Sequence, residues 1–173
     1  ALPGSNAPRL LAEWEPAGVI AHLSTAGDAE AVEALGRPAV NVSGVLRDVS
    51  VPRVGLDDEA VGALAAEHFI DRGFRNFGYI GERNTAYSDR RLAGYRQSLH
   101  EQGRDCEVFV ERGGPVSAYN ERSWKRSDAA ITRWLRSFPT PVAVFACNDV
   151  MAVRLSEGCR LAAVGGNMGK PVS

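Results

Sequence analysis

Six short apolar runs, rich in β-branched or aromatic residues, punctuate the chain at residues 19–23, 39–42, 53–56, 77–80, 107–110 and 142–146. Their length and composition predict six strands. Between most of them lie longer segments of helical period. Residues 58–72 place Val61, Leu64, Ala65 and Phe69 on one face, with Asp57 or Asp58 at the N-cap and Gly73 as the C-terminal stop. Residues 90–102 repeat Leu92, Tyr95 and Leu99, and Gly103 ends that run in the same way. In residues 124–138 the buried stripe is Ile131, Trp134, Leu135 and Phe138, and Pro139 and Pro141 forbid continuation into the next strand. Shorter helices are expected over 28–35 and from Asp149 onward, with Trp14 on a helical core stripe near the start. Strands alternating with helices predict an α/β fold, a parallel sheet with helices on both faces.

Composition agrees with a packed domain. Of 173 residues, 45% are hydrophobic and 24% charged, which excludes disorder and collagen-like repeats. Twenty basic against 21 acidic residues leave a formal charge of −1 with no block of like charge. These residues are therefore poor at gripping nucleic acid, which needs clustered cations facing phosphates. No apolar run approaches the roughly 18 residues of a membrane span, so no membrane partner is expected. No signal-like segment opens the sequence. Cys106, Cys147 and Cys159 are odd in number and widely spaced, which predicts no disulfide framework and fits a reducing, cytoplasmic setting. His22, His68 and His100 show no metal-ligand spacing, and no phosphate-cradling glycine motif occurs, so neither metal nor cofactor is expected. One boundary is expected near 73–75, dividing residues 1–74 from 75–173.

In an open parallel sheet, ligands bind outside the carboxyl ends of the strands, where helix N-termini point their unpaired N–H groups. The residues at those positions are Ser24, Thr25, Ser43, Asp57, Asp58, Glu82, Arg83, Glu111, Arg112, Asn148 and Asp149. Nearly all can hydrogen-bond, which describes a polar cleft; loops and caps favour such residues anyway. Two of the positions near this edge carry more chemistry. Asp149 follows a strongly apolar strand and precedes a helix, where a carboxylate can accept from two adjacent hydroxyls. Arg91 begins a helix, where its planar fork can donate two parallel bonds to vicinal hydroxyls or to an anion; Arg90 beside it is expected to face solvent. Cys147, at a strand end, lacks a histidine at base spacing and is expected to be a small buried residue. Trp124 could stack on the apolar face of a sugar ring or pack in the core.

Several motifs agree with one family in order and spacing. Val51-Pro52-Arg53-Val54-Gly55-Leu56-Asp57-Asp58 leads into a helix, Glu67-His68-Phe69-Ile70-Asp71-Arg72-Gly73-Phe74 precedes Phe77-Gly78-Tyr79-Ile80-Gly81, and Arg91-Leu92-Ala93-Gly94-Tyr95 and Ala146-Cys147-Asn148-Asp149-Val150-Met151-Ala152 follow. From Trp14 to Ala162 the chain resembles the effector-sensing domain of LacI/GalR-type regulators. Trp124 and Trp134, ten residues apart before Phe138-Pro139, are similar to the xylose-operon regulators, which join that domain to an AraC-type DNA-binding domain. The resemblance implies a two-lobed, periplasmic-binding-protein-like fold closing on a small, xylose-like sugar. Residues 1–74 would be a partial N-terminal lobe and 75–173 a partial C-terminal lobe. It also implies Arg91, Asp149 and Asn148 as sugar-binding residues, with Asp57 and Trp124 as further candidates, and a homodimer whose disposition on DNA changes with the sugar.

The sequence departs from that pattern at its ends. The family's opening strand and helix are replaced by Ala1-Leu2-Pro3-Gly4-Ser5-Asn6-Ala7-Pro8, and Ala163-Val164-Gly165-Gly166-Asn167 stands where another strand is usual. DNA is therefore expected to be bound through a domain outside these residues. The expected function is a cytoplasmic sugar sensor of a transcription regulator, without catalysis. The rival is an α/β enzyme acting on a sugar or sugar phosphate, with Asp149 as base and Arg91 as anion clamp. A secreted solute-binding protein is disfavoured by the absence of a signal segment.

Overall fold

The computed structural model describes residues 13–111 and 121–164, without the side chains of 121–127 and 163–164. The chain divides into two compact units. The first takes the described residues up to Asp57 together with Asn84–Tyr87, and the second takes Asp58–Arg83 and those from Ser88 onward. The boundary expected at 73–75 thus falls inside the second unit. The reason is the helix that follows Asp57, which packs against later elements of the second unit through two glycines.

In the first unit, strand β1 (Val19–Ala21) pairs in parallel with β2 (Ala39–Asn41), Ile20 standing opposite Val40. Helix α1 (Ala26–Glu33) crosses between them. It starts on a reciprocal cap, in which the Thr25 hydroxyl accepts from the Asp28 N–H and the Asp28 carboxylate accepts from the Thr25 N–H. Leu23, Ala29, Val32 and Val51 form the core of this unit, with Val19, Ala21, Leu46 and Val49 against it. The strand expected over 53–56 does not form. Only Arg53 bridges to Asn41, because the Asn41 N–H and C=O are taken by Pro52 and Val54, and Val54 and Leu56 beyond it are exposed. Trp14, expected in a core stripe, is 71% exposed.

The second unit is a three-stranded parallel sheet in the order β4-β3-β5, with β3 (Asn76–Glu82) between β4 (Glu107–Glu111) and β5 (Val142–Ala146). A central strand is covered on both faces, and five consecutive residues of β3, Phe77 to Gly81, are accordingly buried. Helices α2 (Asp58–Asp71), α3 (Ala86–Glu101, of which the residues from Ser88 onward belong here), α4 (Glu121–Leu135) and α5 (Asp149–Val164) complete it. Gly73 and Gly103 end α2 and α3 in the left-handed conformation, at φ +79° and +64°, as their positions in the sequence predict. Tyr95, Leu99 and Ile131 are fully buried, and Tyr79, Tyr95 and Phe145 form an aromatic cluster with ring centroids 5.4–6.3 Å apart.

Helix α2 is rotated from the expected face. Its buried positions are Asp58, Gly62 and Ala66, while Leu64 is exposed. The seam is made by small residues: a β-carbon on Gly62 would lie 2.7 Å from the Tyr95 amide nitrogen, and one on Gly94 2.7 Å from the Glu59 carbonyl carbon. The backbones of α2 and α3 therefore touch directly, which turns Leu64 away from the interface. Glycine carries no apolar side chain, so a seam of this kind leaves no mark in the hydrophobic period of the sequence.

Candidate functional site

The carboxyl ends of β3 and β5 meet the first turns of α2, α3 and α5 within the second unit. At their centre is Asp58, the first residue of α2 and only 5% exposed. A buried carboxylate is costly unless matched by cations and hydrogen bonds. Here two consecutive arginines of α3 supply both. Arg90 donates Nε and Nη2 to Asp58 Oδ2 at 3.1 and 2.8 Å, and Arg91 donates Nε to Oδ1 at 3.0 Å. Arg90, expected to face solvent, is therefore a partner of the same carboxylate.

Arg91 also reaches the other side of the site. Its Nη1 donates to the Cys147 carbonyl at 2.7 Å, in the connection between β5 and α5. One guanidinium thus ties the start of α2 to the carboxyl end of β5. The N-terminal turn of α5 follows immediately. Asn148 Oδ1 accepts from the Met151 N–H at 2.9 Å, so Asn148 caps the helix and Asp149 is its first residue. Asp149 itself is exposed, two residues past the carbonyl that holds Arg91.

The turn that carries the arginines is anchored beneath them. The Tyr79 hydroxyl donates to the Ser88 carbonyl at 2.6 Å, and Ser88 Oγ accepts from the Glu82 N–H at 3.1 Å. Gly81 makes room for this, since a β-carbon there would lie 2.6 Å from Tyr79 Cε1 and 2.7 Å from Ser88 Oγ. Cys147 is fully buried against the same group. Burial, and then the nearby Glu82 charge, push its thiol up to about 12, which removes it as a nucleophile. Further along the edge, Arg154 of α5 is buried against Glu111 at the end of β4, with Asp128 at 3.4 Å.

The remaining expected positions divide by role. Thr25 caps α1, and Ser43 is buried with its hydroxyl accepting from the Val45 N–H, so both serve the backbone of the first unit. Asp57 is exposed and ends that unit. Trp124 lies on α4 with its side chain outside the described residues, and Arg112 is outside them altogether. The sequence marked Arg91 but not its anchors. Consecutive acids at 57–58 and consecutive arginines at 90–91 were a visible signal, yet nothing in one sequence says that two pairs 33 residues apart meet.

A family model described as a periplasmic binding protein-like domain matches residues 66–165. The chain belongs to this family. Among curated proteins it is similar to the HTH-type transcriptional regulator GntR of Pseudomonas aeruginosa, 29% identical over 124 residues, covering 70% of this chain and 34% of that protein. It is also similar to the HTH-type transcriptional regulator DegA of Bacillus subtilis, 30% identical over 111 residues, covering 62% of this chain and 30% of that protein. The domain thus spans about a third of the length of these relatives. Among solved structures, the xylose-binding transcription activator xylR superposes with a TM-score of 0.70 at 21% identity, over 84% of this chain and 39% of that one. At that identity the likeness establishes the fold alone, an α/β fold in keeping with the periplasmic binding protein-like family model. Both curated relatives are named as transcriptional regulators. Among the described residues no helix is long and apolar enough to cross a membrane.

Proposed function

We propose that these residues are the effector-sensing part of a cytoplasmic transcription regulator, binding a small uncharged sugar and performing no chemistry. The observation that carries this is the Arg91 guanidinium, held at the carboxyl end of β5 by Asp58 and by the Cys147 carbonyl two residues before the exposed Asp149. A fixed planar donor, anchored two residues before an accessible carboxylate in the chain, suits a polyol, which offers adjacent hydroxyls that both donate and accept. The site lies where open parallel sheets take their ligands. Asn148 and Asp57 flank it in sequence, and Trp124 is kept as a stacking candidate. A xylose-like pentose is the first ligand to try, given the resemblance to xylose-operon regulators.

In the full regulator, DNA is contacted through a separate domain, of the AraC type by the same resemblance, in a homodimer. Sugar binding acts by favouring one arrangement of the protein over another, which requires different affinities for the two. The rival enzyme reading, with Asp149 as base and Arg91 as anion clamp, has less support: Arg91 is already held by Asp58 and the Cys147 carbonyl, and the curated relatives are named as regulators.

Calorimetric titration of the protein with a panel of pentoses and hexoses tests the proposal. Arg91→Ala or Asp149→Ala should weaken the sugar that binds by about ten- to a hundredfold, the value of a charged hydrogen bond to a hydroxyl. If both variants bind like the parent, the assignment of the site is wrong.

A further inference from the structure

We infer that Asp58 sets the charge selectivity of this site, making it accept a neutral sugar and turn away the corresponding sugar acid. The inference rests on the reading of Arg91 as a ligand-binding residue and deepens it. Two adjacent guanidinium groups on the first turns of α3 would by themselves make an anion site, since planar arginines pair readily with carboxylates and phosphates. Asp58 changes that. It is buried, it accepts three hydrogen bonds from the pair, and it occupies Nε of Arg91 and the Nε and Nη2 of Arg90. One edge of the Arg90 fork and the Nε of Arg91 are thereby taken by a carboxylate that belongs to the protein. Asp58 thus offsets one of the two positive charges of Arg90 and Arg91, and Glu82 and Asp89 add negative charge to the same surroundings. An incoming carboxylate would meet the Asp149 charge and compete with Asp58 for the arginines; a hydroxyl would meet neither penalty. Asp58 does not need to touch the ligand for this. It acts through Arg91, as a residue that positions the guanidinium and offsets its charge.

The test uses D-xylose and its acid, D-xylonate, as an uncharged and an anionic probe of similar size, titrated into the full chain. Asp58→Asn keeps an acceptor of the same shape and removes the negative charge. It should raise the ratio of xylonate to xylose affinity about tenfold, an effect that shrinks with added salt. Arg90→Gln removes a positive charge from the same cluster and should move that ratio in the opposite direction. Opposite shifts from two variants that each break the same ion pair distinguish charge selectivity from loss of structure, which would weaken both probes alike. If Asp58→Asn leaves the ratio unchanged while xylose still binds, the inference is overturned and the sugar-sensor reading survives. If the parent protein prefers xylonate to xylose, both fail.

Discussion

The contact between α2 and α3 makes a sharp prediction, because one chemical change has opposite signs at two glycines. In Gly94→Ala the new methyl would sit 2.7 Å from the Glu59 carbonyl carbon and 2.8 Å from its α-carbon. Carbon atoms normally approach no closer than about 3.5 Å, so the helices must separate by most of an ångström or more. The obstacle is backbone, which no rotamer change can relieve, placing the strain near the top of the overpacking range, about 3 kcal/mol. Alanine improves helix propensity by about 1 kcal/mol over glycine, leaving a net loss of about 2 kcal/mol. For a chain of this size that lowers the melting temperature by about 4–8 °C. Gly27→Ala is the control. Its methyl meets only Thr25 Oγ1 at 3.8 Å, an ordinary contact, so the same change in α1 should stabilise by about 0.5 kcal/mol. Both are read by thermal and urea unfolding followed by circular dichroism. Since the seam also holds Asp58 of α2 against Arg90 and Arg91 of α3, Gly94→Ala should weaken sugar binding, and Gly27→Ala should not. A Gly94→Ala protein that melts at or above the parental temperature would refute the packing argument.

Glu111→Gln should destabilise the second unit by about 3 kcal/mol, because it leaves Arg154, 2% exposed, with less compensation than its burial requires; urea midpoints measure this. Burial raises all three thiols, but only Cys159 is exposed while Cys106 and Cys147 are closed to solvent, so a thiol reagent at mildly alkaline pH should modify one equivalent in the native protein and three after denaturation. At Asp28, burial alone would raise the carboxyl, but bonds from the Ser24 and Thr25 N–H groups and the Thr25 side chain outweigh it and hold the carboxyl below its ordinary 3.8. A group depressed on folding stabilises above its unfolded value and loses that contribution as the pH falls through its folded one. The stability gap between the parent and Asp28→Ala should therefore be constant near neutrality and close below about pH 4. A gap unchanged in acid would show that the charge plays no part.

Local order was largely legible in the sequence. Five of the six expected strands form where the apolar runs lie, and the glycines at 73 and 103 stop their helices for the reason glycine usually does, its tolerance of positive φ. Those features depend on neighbours in the chain, whose spacing a sequence displays directly. Residues 53–56 fail as a strand because pairing needs a partner, and Asn41 offers only one bridge. Leu64 and Trp14 are exposed although their types suggested a core, since what covers a residue is decided by elements distant in the chain.

The candidate site shows the same division. Arg91 and Asp149 could be singled out from strand ends and side-chain chemistry alone. That Asp58 binds Arg90 and Arg91 together and that Arg91 grips the Cys147 carbonyl were matters for the tertiary structure. Periodicity and capping act over a few residues and leave a trace in the order of amino acids. Ion pairs and helix seams join segments some 30 to 55 residues apart, and they take shape only when burial brings those segments to hydrogen-bonding distance.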